Sequence, residues 1–102
     1  MIASHAHIND LIGAALGAGG EAHRDKSDFS PDFWNLRTGL LGELAQKLAN
    51  YRLTLTLTGD FNREIAASRA FRDYVRELLR AGGPIRFDPR PDLTPPLDGD
   101  LP

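Results

Sequence analysis

The chain has 102 residues, enough for one domain with a modest core, since a domain of this size buries about two-thirds of the surface that its unfolded chain exposes. Its 12 basic and 14 acidic side chains give a formal charge of −2, so nucleic acid, whose binding needs a basic excess, is not an expected partner. The absence of cysteine excludes disulfides, and the three scattered histidines form no zinc motif, so we expect no metal and no cofactor.

The hydropathy pattern predicts neither a membrane segment nor a secretory signal. A transmembrane helix needs about 20 apolar residues, and the longest apolar stretch near the start, residues 11–18, is far shorter. No Lys or Arg precedes that stretch, and Asn9 and Asp10 lie just before it, which is not typical of a signal peptide. We therefore expect a soluble, cytoplasmic protein that does not act on membranes.

Residues 1–20 predict a short helix, with Ser4 or Asn9 as the candidate N-cap and a cluster of glycines as its end. Its apolar residues recur at helical spacing: Ile8, Leu11, Ile12, Ala15 and Leu16. Residues 21–28 contain one small apolar residue and no alternation, so propensity predicts a loop. If they form a strand, it is an edge strand.

Residues 30–50 predict helical structure. Ser30 and Pro31 indicate a helix start, because a serine hydroxyl caps free amides and proline suits the first helical position. Apolar residues then recur three to four positions apart: Phe33, Leu36, Leu40, Leu44 and Leu48. Glycines 39 and 42 each cost a helix about 1 kcal/mol relative to alanine. The helix therefore either breaks near Thr38, which would cap a second helix, or lies close to a neighbouring backbone. We favour the break, with a helix to about Asn50.

The remaining residues predict a strand, a helix and a second strand. Residues 52–58 alternate leucine and threonine with period two, so the leucines face one layer and the threonines the other, and Gly59 and Asp60 end this strand. After a loop, residues 68–81 predict a helix whose inward side chains are Phe71, Tyr74, Val75, Leu78 and Leu79. Residues 85–87 form a short candidate strand. Five of the seven prolines lie beyond Asp88, so residues 89–102 predict an extended or disordered tail.

This order of elements predicts a single α/β domain over residues 1–88, with its core in residues 28–88 and parallel strands covered by helices. Ligands and partners gather at the carboxyl ends of such strands. Gly59, Asp60 and Phe61 lie at that end of the clearest strand.

One block of the chain holds most of its unusual polar residues: Phe33-Trp34-Asn35-Leu36-Arg37-Thr38-Gly39-Leu40-Leu41-Gly42-Glu43, then Gln46-Lys47, Asn50-Tyr51-Arg52, Thr58-Gly59-Asp60-Phe61 and Phe71-Arg72-Asp73-Tyr74-Val75. In this block the chain resembles the bacterial domain-of-unknown-function family 4180, over roughly residues 28–88. The resemblance implies a small STAS-like (anti-sigma-factor-antagonist-like) layered sheet with alternating helices, and no established activity. Family members begin with a strand pair and have an apolar strand where this chain has residues 21–28, so the resemblance implies that outer strands are missing here.

Five residues of this block form the candidate ligand or partner site: Arg37, Thr38, Gly39, Glu43 and Asp60. Arg37 and the helix amides would bind an anion, and Glu43 would accept a hydrogen bond. In the alternative interpretation, Thr38 caps the helix, Glu43 favours the helix dipole and Arg37 pairs with a carboxylate. Asp60 alone is not a metal cage and is more typical of a turn cap.

Ser68 is a candidate phosphorylation site, because the STAS-like resemblance implies a modified hydroxyl near the helix that follows the central strand. A phosphate at this position would be stabilised by the helix amides and by Arg72. The alternative is that Ser68 is an ordinary helix cap.

Two functions fit these features. The first, which we favour, is a non-enzymatic protein-interaction or regulatory domain that acts through the polar cluster and through exposed sheet edges. Its partner would be another protein or a second copy, bound by an edge strand or by the threonine face. We favour it because the chain has no nucleophile and base pair, no metal set and no cofactor motif. The alternative is a small anionic-ligand-binding or hydrolytic enzyme, with Glu43 and Asp60 as acid and base and Arg37 binding the substrate.

Overall fold

The computed structural model describes residues 1–91 and residue 93. The α/β class is confirmed, with four α-helices and three parallel strands in the described part of the chain. In chain order these are α1 (His5–Gly17), β1 (Glu21–Asp25), α2 (Leu40–Asn50), β2 (Thr54–Thr58), α3 (Asn62–Ala67), α4 (Arg69–Arg80) and β3 (Ile85–Asp88). Three single 3₁₀ turns connect β1 to α2, and these are Lys26–Asp28, Pro31–Trp34 and Leu36–Thr38.

The strands lie in sequence order, β1-β2-β3, and both pairings are parallel. Consecutive parallel strands joined by right-handed crossovers place their connecting helices on the same face of a sheet. The strands agree with this arrangement, since the residues that are buried in each of them all face the same side. The domain therefore has two layers, and no element of the described residues covers the second face of the sheet.

The covered face of the sheet is apolar. Ala22, Leu55 and Ile85 are register neighbours across the three strands, and Leu57 pairs with Phe87 one row further on. All of these side chains are buried, as are those that α1 contributes to the same core, namely Ile8, Leu11, Ile12 and Ala15. Helix α1 therefore belongs to the core together with residues 28–88.

The opposite face of the sheet is polar. Two rows cross all three strands, and these are His23-Thr56-Arg86 and, nearer the carboxyl ends, Asp25-Thr58-Asp88. The threonines are half-buried and the flanking side chains are exposed. This confirms the prediction that leucines and threonines of β2 face opposite layers. We call this polar surface the open face.

Helix α1 confirms the predicted helix and selects between its two candidate caps. Ser4 is the N-cap, with its hydroxyl accepting the N–H of His7. Asn9 instead lies inside the helix, where its Oδ1 atom accepts a hydrogen bond from Lys47 Nζ at 2.6 Å. Leu16, predicted to face inward, is 53% exposed, because the buried stripe of α1 ends at Ala15.

Strand β1 shows that the loop predicted for residues 21–28 is wrong over residues 21–25, and that the edge-strand alternative is correct there. Ala22 is its one buried residue. Backbone hydrogen bonds to β2 hold this strand in place. Because such bonds do not depend on side-chain type, the sequence of residues 21–25 need not be rich in residues that favour strands. Asp25 then caps the turn Lys26–Asp28 in a capping box.

The predicted break near Thr38 is confirmed, although the cap of the second helix is Gly39 rather than Thr38. Gly39 has a φ of 76°, a left-handed conformation that favours glycine, and nothing lies within 4 Å of the position its Cβ would occupy. Backbone conformation, and not close approach, therefore explains this glycine. Ser30 lies at the predicted N-cap position and Pro31 begins the second 3₁₀ turn, but the side chain of Ser30 does not make the expected cap hydrogen bond.

Helix α3 occupies Asn62–Ala67, within the stretch that was expected to be a loop. Ile65 is the one buried residue of this six-residue helix, so its sequence shows no apolar repeat at helical spacing. Helix α4 begins after Ser68 and β3 covers the predicted short strand, both as expected.

The predicted tail, residues 89–102, falls mainly outside the described residues. Among residues 1–91, none of the helices combines the length and the hydropathy that crossing a bilayer requires.

Candidate functional site

A cleft of about 390 Å³ lies at the carboxyl ends of β1 and β2. This end of a parallel sheet is where α/β proteins commonly bind ligands, and the volume is typical of small-molecule sites. Phe29, Pro31 and Trp34 form an apolar wall. The polar lining consists of Asp25, Lys26, Ser27, Asp60 and Glu64. Of the predicted site residues, Asp60 alone lines this cleft.

Asp25 ends β1 and is held as a carboxylate. Its Oδ2 atom accepts hydrogen bonds from the hydroxyl of Ser27 at 2.5 Å and from the N–H of Ser27 at 2.9 Å, and its Oδ1 atom accepts one from Thr58 Oγ1 at 2.9 Å. These hydrogen bonds, led by that of the Ser27 hydroxyl, lower the pKa of Asp25 below its usual range. Asp25 is consequently an acceptor and a negative charge at neutral pH, and not a proton donor.

Lys26 crosses from the end of β1 to the residues that follow β2. Its Nζ atom donates to the backbone carbonyl of Asp60 at 2.8 Å and to Glu64 Oε1 at 2.7 Å, and it lies 5.2 Å from the centroid of the Phe61 ring. The ammonium is therefore already neutralised by Glu64. Lys26 was not among the predicted site residues. Its role follows from its position at the end of β1, beside the end of β2, and the sequence pattern predicted a loop in place of β1.

Trp34 anchors the apolar wall of the cleft. Its ring centroid lies 4.9 Å from that of Phe61 and 5.1 Å from that of Phe29. The T-shaped contact with Phe61, at an interplanar angle of 88°, is a favourable aromatic geometry. Trp34 thus joins the turn after β1 to the residue that follows Asp60, and it fixes the cleft wall.

Three members of the predicted cluster lie together at the start of α2, where they act in local structure. Thr38 Oγ1 donates to the carbonyl of Asn35 at 2.9 Å and accepts the N–H of Leu40 at 3.3 Å. Gly39 is the N-cap of α2. Arg37 is exposed, and its backbone N–H donates to Asn35 Oδ1 at 3.1 Å.

The two predicted carboxylates have different partners. Glu43 faces α1, where it pairs with His5, and it also pairs with Lys47 of its own helix at 3.3 Å. Asp60 is exposed, and its Oδ1 atom accepts the N–H of Asn62 at 2.7 Å, which is a turn cap. Among the described residues, no hydrogen bond or ion pair joins Arg37, Glu43 and Asp60 to one another.

Ser68 is the N-cap of α4, with its hydroxyl accepting the N–H of Phe71 at 3.1 Å. The hydroxyl is half-buried at the start of the helix. Its phosphorylation, and the regulatory role that the STAS-like resemblance implies, stay predictions.

The outer edge of β1 is partly occupied by charged side chains of nearby residues. The N–H of Thr54 donates to the carbonyl of Gly20, so the backbone of Gly20 faces β2. Backbone N–H and C=O groups of successive strand residues point alternately to the two sides of the strand. Ala22 and Arg24 therefore also face β2, and His23 and Asp25 face outward. Arg24 Nη1 donates to the carbonyl of His23 at 2.7 Å. The N–H of Asp25 donates to Asp28 Oδ2 at 2.9 Å. Charged side chains that occupy an edge in this way oppose pairing with another strand.

The outer edge of β3 differs. Leu55 donates to the carbonyl of Pro84 and Gly59 donates to that of Asp88, so Ile85 and Phe87 direct their backbone groups away from β2. Within residues 1–91 and residue 93, no hydrogen bond to those groups of Ile85 and Phe87 is found. Charged side chains thus occupy two outward backbone groups of β1 and, among the described residues, none of β3, so the β3 edge is the more open of the two.

Comparison with known proteins identifies the family of the chain but no specific function. The family model described as "Domain of unknown function (DUF4180)" matches residues 1–92, so the match includes α1 and β1 and extends well beyond the residues 28–88 expected from the sequence. No curated protein and no solved structure matches the chain.

Proposed function

The chain belongs to the DUF4180 family, and we propose that it is a non-enzymatic protein-interaction domain that forms a homodimer through its sheet. Its place of action in this proposal is the cytoplasm, which suits a chain without cysteine.

The observation that carries the proposal is the open edge of a small, all-parallel sheet. Among the described residues, the outward backbone groups of Ile85 and Phe87 on β3 have no hydrogen-bond partner. Such an edge is a ready template for pairing with a strand of another chain. A second copy that extends the sheet would satisfy backbone groups at its edge and would enlarge a sheet that is small by itself.

The placement of the predicted catalytic groups supports a non-enzymatic role. An acid and a base must face one substrate position. Glu43 is engaged by His5 and Lys47 in the helical layer, whereas Asp60 caps the turn after β2. Arg37, the expected anion-binding residue, lies on the exposed turn before α2 and does not line the cleft.

Sedimentation equilibrium of the full chain, from low micromolar to millimolar concentration, tests this proposal. We expect a monomer–dimer equilibrium whose dimer fraction rises with concentration. A single monomeric species over the whole range would overturn the proposed function. The double variant Arg37→Ala/Asp60→Ala is the matched control, and it should dimerise like the native chain because neither residue belongs to the sheet edges.

The cleft at the ends of β1 and β2 favours a second candidate function, the binding of a small cationic ligand. Its lining contains three carboxylates, Asp25, Asp60 and Glu64, against the ammonium of Lys26, which Glu64 already neutralises. An anionic ligand, which the alternative enzymatic function predicts, would meet net negative charge here. An amine with an aromatic body would instead place its charge near the carboxylates and its ring against Trp34.

Fluorescence titration tests this second candidate, because Trp34 is the only tryptophan of the chain and reports directly on the cleft. Phenethylamine is the probe and benzyl alcohol the neutral control. We expect a saturable change with phenethylamine alone, weakened in Asp60→Asn and unchanged in Asp10→Asn, which lies on exposed α1 surface outside the cleft. Equal responses to both compounds, or none, would exclude a cation site.

A further inference from the structure

We infer that the second copy binds along β3, so that two sheets join into one continuous sheet with strand order β1-β2-β3-β3-β2-β1. This inference rests on the proposed homodimer and names its interface. A two-fold axis normal to the sheet makes the two β3 strands antiparallel, and the resulting contact closes on itself without forming a filament.

The two edges of the sheet differ in a way that selects β3. At β1, Arg24 and Asp28 occupy the outward carbonyl of His23 and the outward N–H of Asp25. At β3, the outward groups of Ile85 and Phe87 have no partner among the described residues. A second copy of β3 gains backbone hydrogen bonds at Phe87 and displaces no side chain of the described residues, whereas an added strand at β1 must first displace a charged side chain.

The charges of β3 select one register. A two-fold axis at Phe87 pairs the backbone of Phe87 with that of the same residue in the second copy, and it places Arg86 opposite Asp88 of the second copy, twice. An axis at Arg86 would set two arginines opposite each other, and an axis at Asp88 would set two aspartates opposite each other. Arg86 and Asp88 are exposed on the open face, and each is free to reach across the strand pair.

Helix α4 adds apolar surface beside the same edge. Leu78 and Leu79, both half-buried, line a recess of about 310 Å³ together with Ile85 and Phe87 of β3, and Arg86 and Arg90 form its polar part. A second β3 strand places its own apolar side chains, which alternate with Arg86 and Asp88, on the helical side of the sheet and therefore next to this recess. The ion pairs then lie on the open face and the apolar contacts on the helical face.

Charge reversal tests the register. Sedimentation equilibrium is measured for the native chain, Arg86→Asp, Asp88→Arg and the double variant Arg86→Asp/Asp88→Arg. Each single variant sets like charges opposite each other at both symmetric positions, and we expect dimerisation at least tenfold weaker. The double variant restores two opposite-charge pairs, and we expect native dimerisation. Arg63→Asp, on the exposed surface of α3, is the control for the change in net charge.

Amide hydrogen exchange of Ile85 and Phe87 at several concentrations provides a second readout. In this interface, protection of the Phe87 N–H rises with the dimer fraction. Protection that is constant at every concentration would mean that the chain's own residues cover the edge, and this would overturn the inference. A native dimer that the single charge reversals leave unchanged would also overturn it while leaving the proposed function intact, whereas a native monomer would overturn both.

Discussion

Lys26 packs so closely on Gly59 that a Cβ atom at Gly59 would lie 2.9 Å from the Cβ atom of Lys26. Gly59 also has a φ of 124°, a conformation that side-chain-bearing residues rarely adopt. The contact joins the residue after β1 to the residue after β2. It places the Lys26 ammonium between Glu64 and the carbonyl of Asp60, and so shapes the cleft.

Gly59→Ala should therefore destabilise the domain by about 2 kcal/mol, since it adds both backbone strain and a clash with Lys26. The control is Gly82→Ala, where φ is 63° and nothing lies within 4 Å of the new Cβ, so that strain of about 1 kcal/mol acts alone. Urea denaturation measures both free energies of unfolding. Equal losses in the two variants would mean that the Lys26 contact is relieved without cost.

Ser68 is expected to stabilise α4 as its N-cap. Ser68→Ala removes the acceptor for the N–H of Phe71 and should cost about 1 kcal/mol. Ser68→Asp keeps a capping oxygen and should remain within a few tenths of a kcal/mol of the native chain. Thermal unfolding of the three proteins compares them. A loss in Ser68→Asp as large as that in Ser68→Ala would contradict the capping role.

Asp25 should make the stability of the fold depend on acid. The hydrogen bonds from Ser27 and Thr58 keep its pKa lower in the folded chain than in the unfolded chain. A carboxyl of this kind stabilises the fold above its unfolded pKa, and that contribution is lost as pH falls through the folded pKa. The native chain should thus lose stability more steeply than Asp25→Asn below about pH 4. The measurement is the free energy of unfolding at a series of pH values, where parallel curves would contradict the prediction.

Arg24 should prevent β1 from pairing with other chains. Arg24→Ala removes the guanidinium that occupies the outward carbonyl of His23, and it leaves the β1 edge of every copy more accessible to a strand of another copy. We expect light scattering to detect assemblies larger than a dimer in this variant. Arg63→Ala removes an equal charge from exposed α3 and should not change the assembly state. An Arg24→Ala protein that assembles like the native chain would show that the edge is protected by other means.

Side-chain periodicity accounts for what was predicted correctly in the fold. The leucines of β2 and the apolar stripe of α4 repeat because one face of each element is buried, and that repeat is written in the sequence. Strand β1 and helix α3 lack such a repeat, since each buries a single side chain, Ala22 and Ile65 respectively. Helix α3 was therefore missed, and β1 was predicted only as the alternative to a loop.

The candidate site was likewise predicted correctly only where it depends on a local sequence pattern. The carboxyl end of β2 was predicted from the strand pattern, and Asp60 does line the cleft there. Arg37 and Glu43 were grouped with Asp60 because all three belong to the block that holds most of the unusual polar residues, but a turn of α2 directs Glu43 towards α1. Lys26 and Trp34 complete the cleft instead, brought there by the pairing of β1 with β2 and by aromatic packing.

The sequence by itself determined the α/β class, the order of the main elements and the separation of leucines from threonines in β2. Each of these depends on local periodicity, which a burial pattern imposes on neighbouring residues. Only the tertiary structure decided that β1 is an edge strand, that the helices lie on one face and that β3 has the more open edge. Those features depend on backbone hydrogen bonds between distant segments, and such bonds are made by atoms that every residue shares.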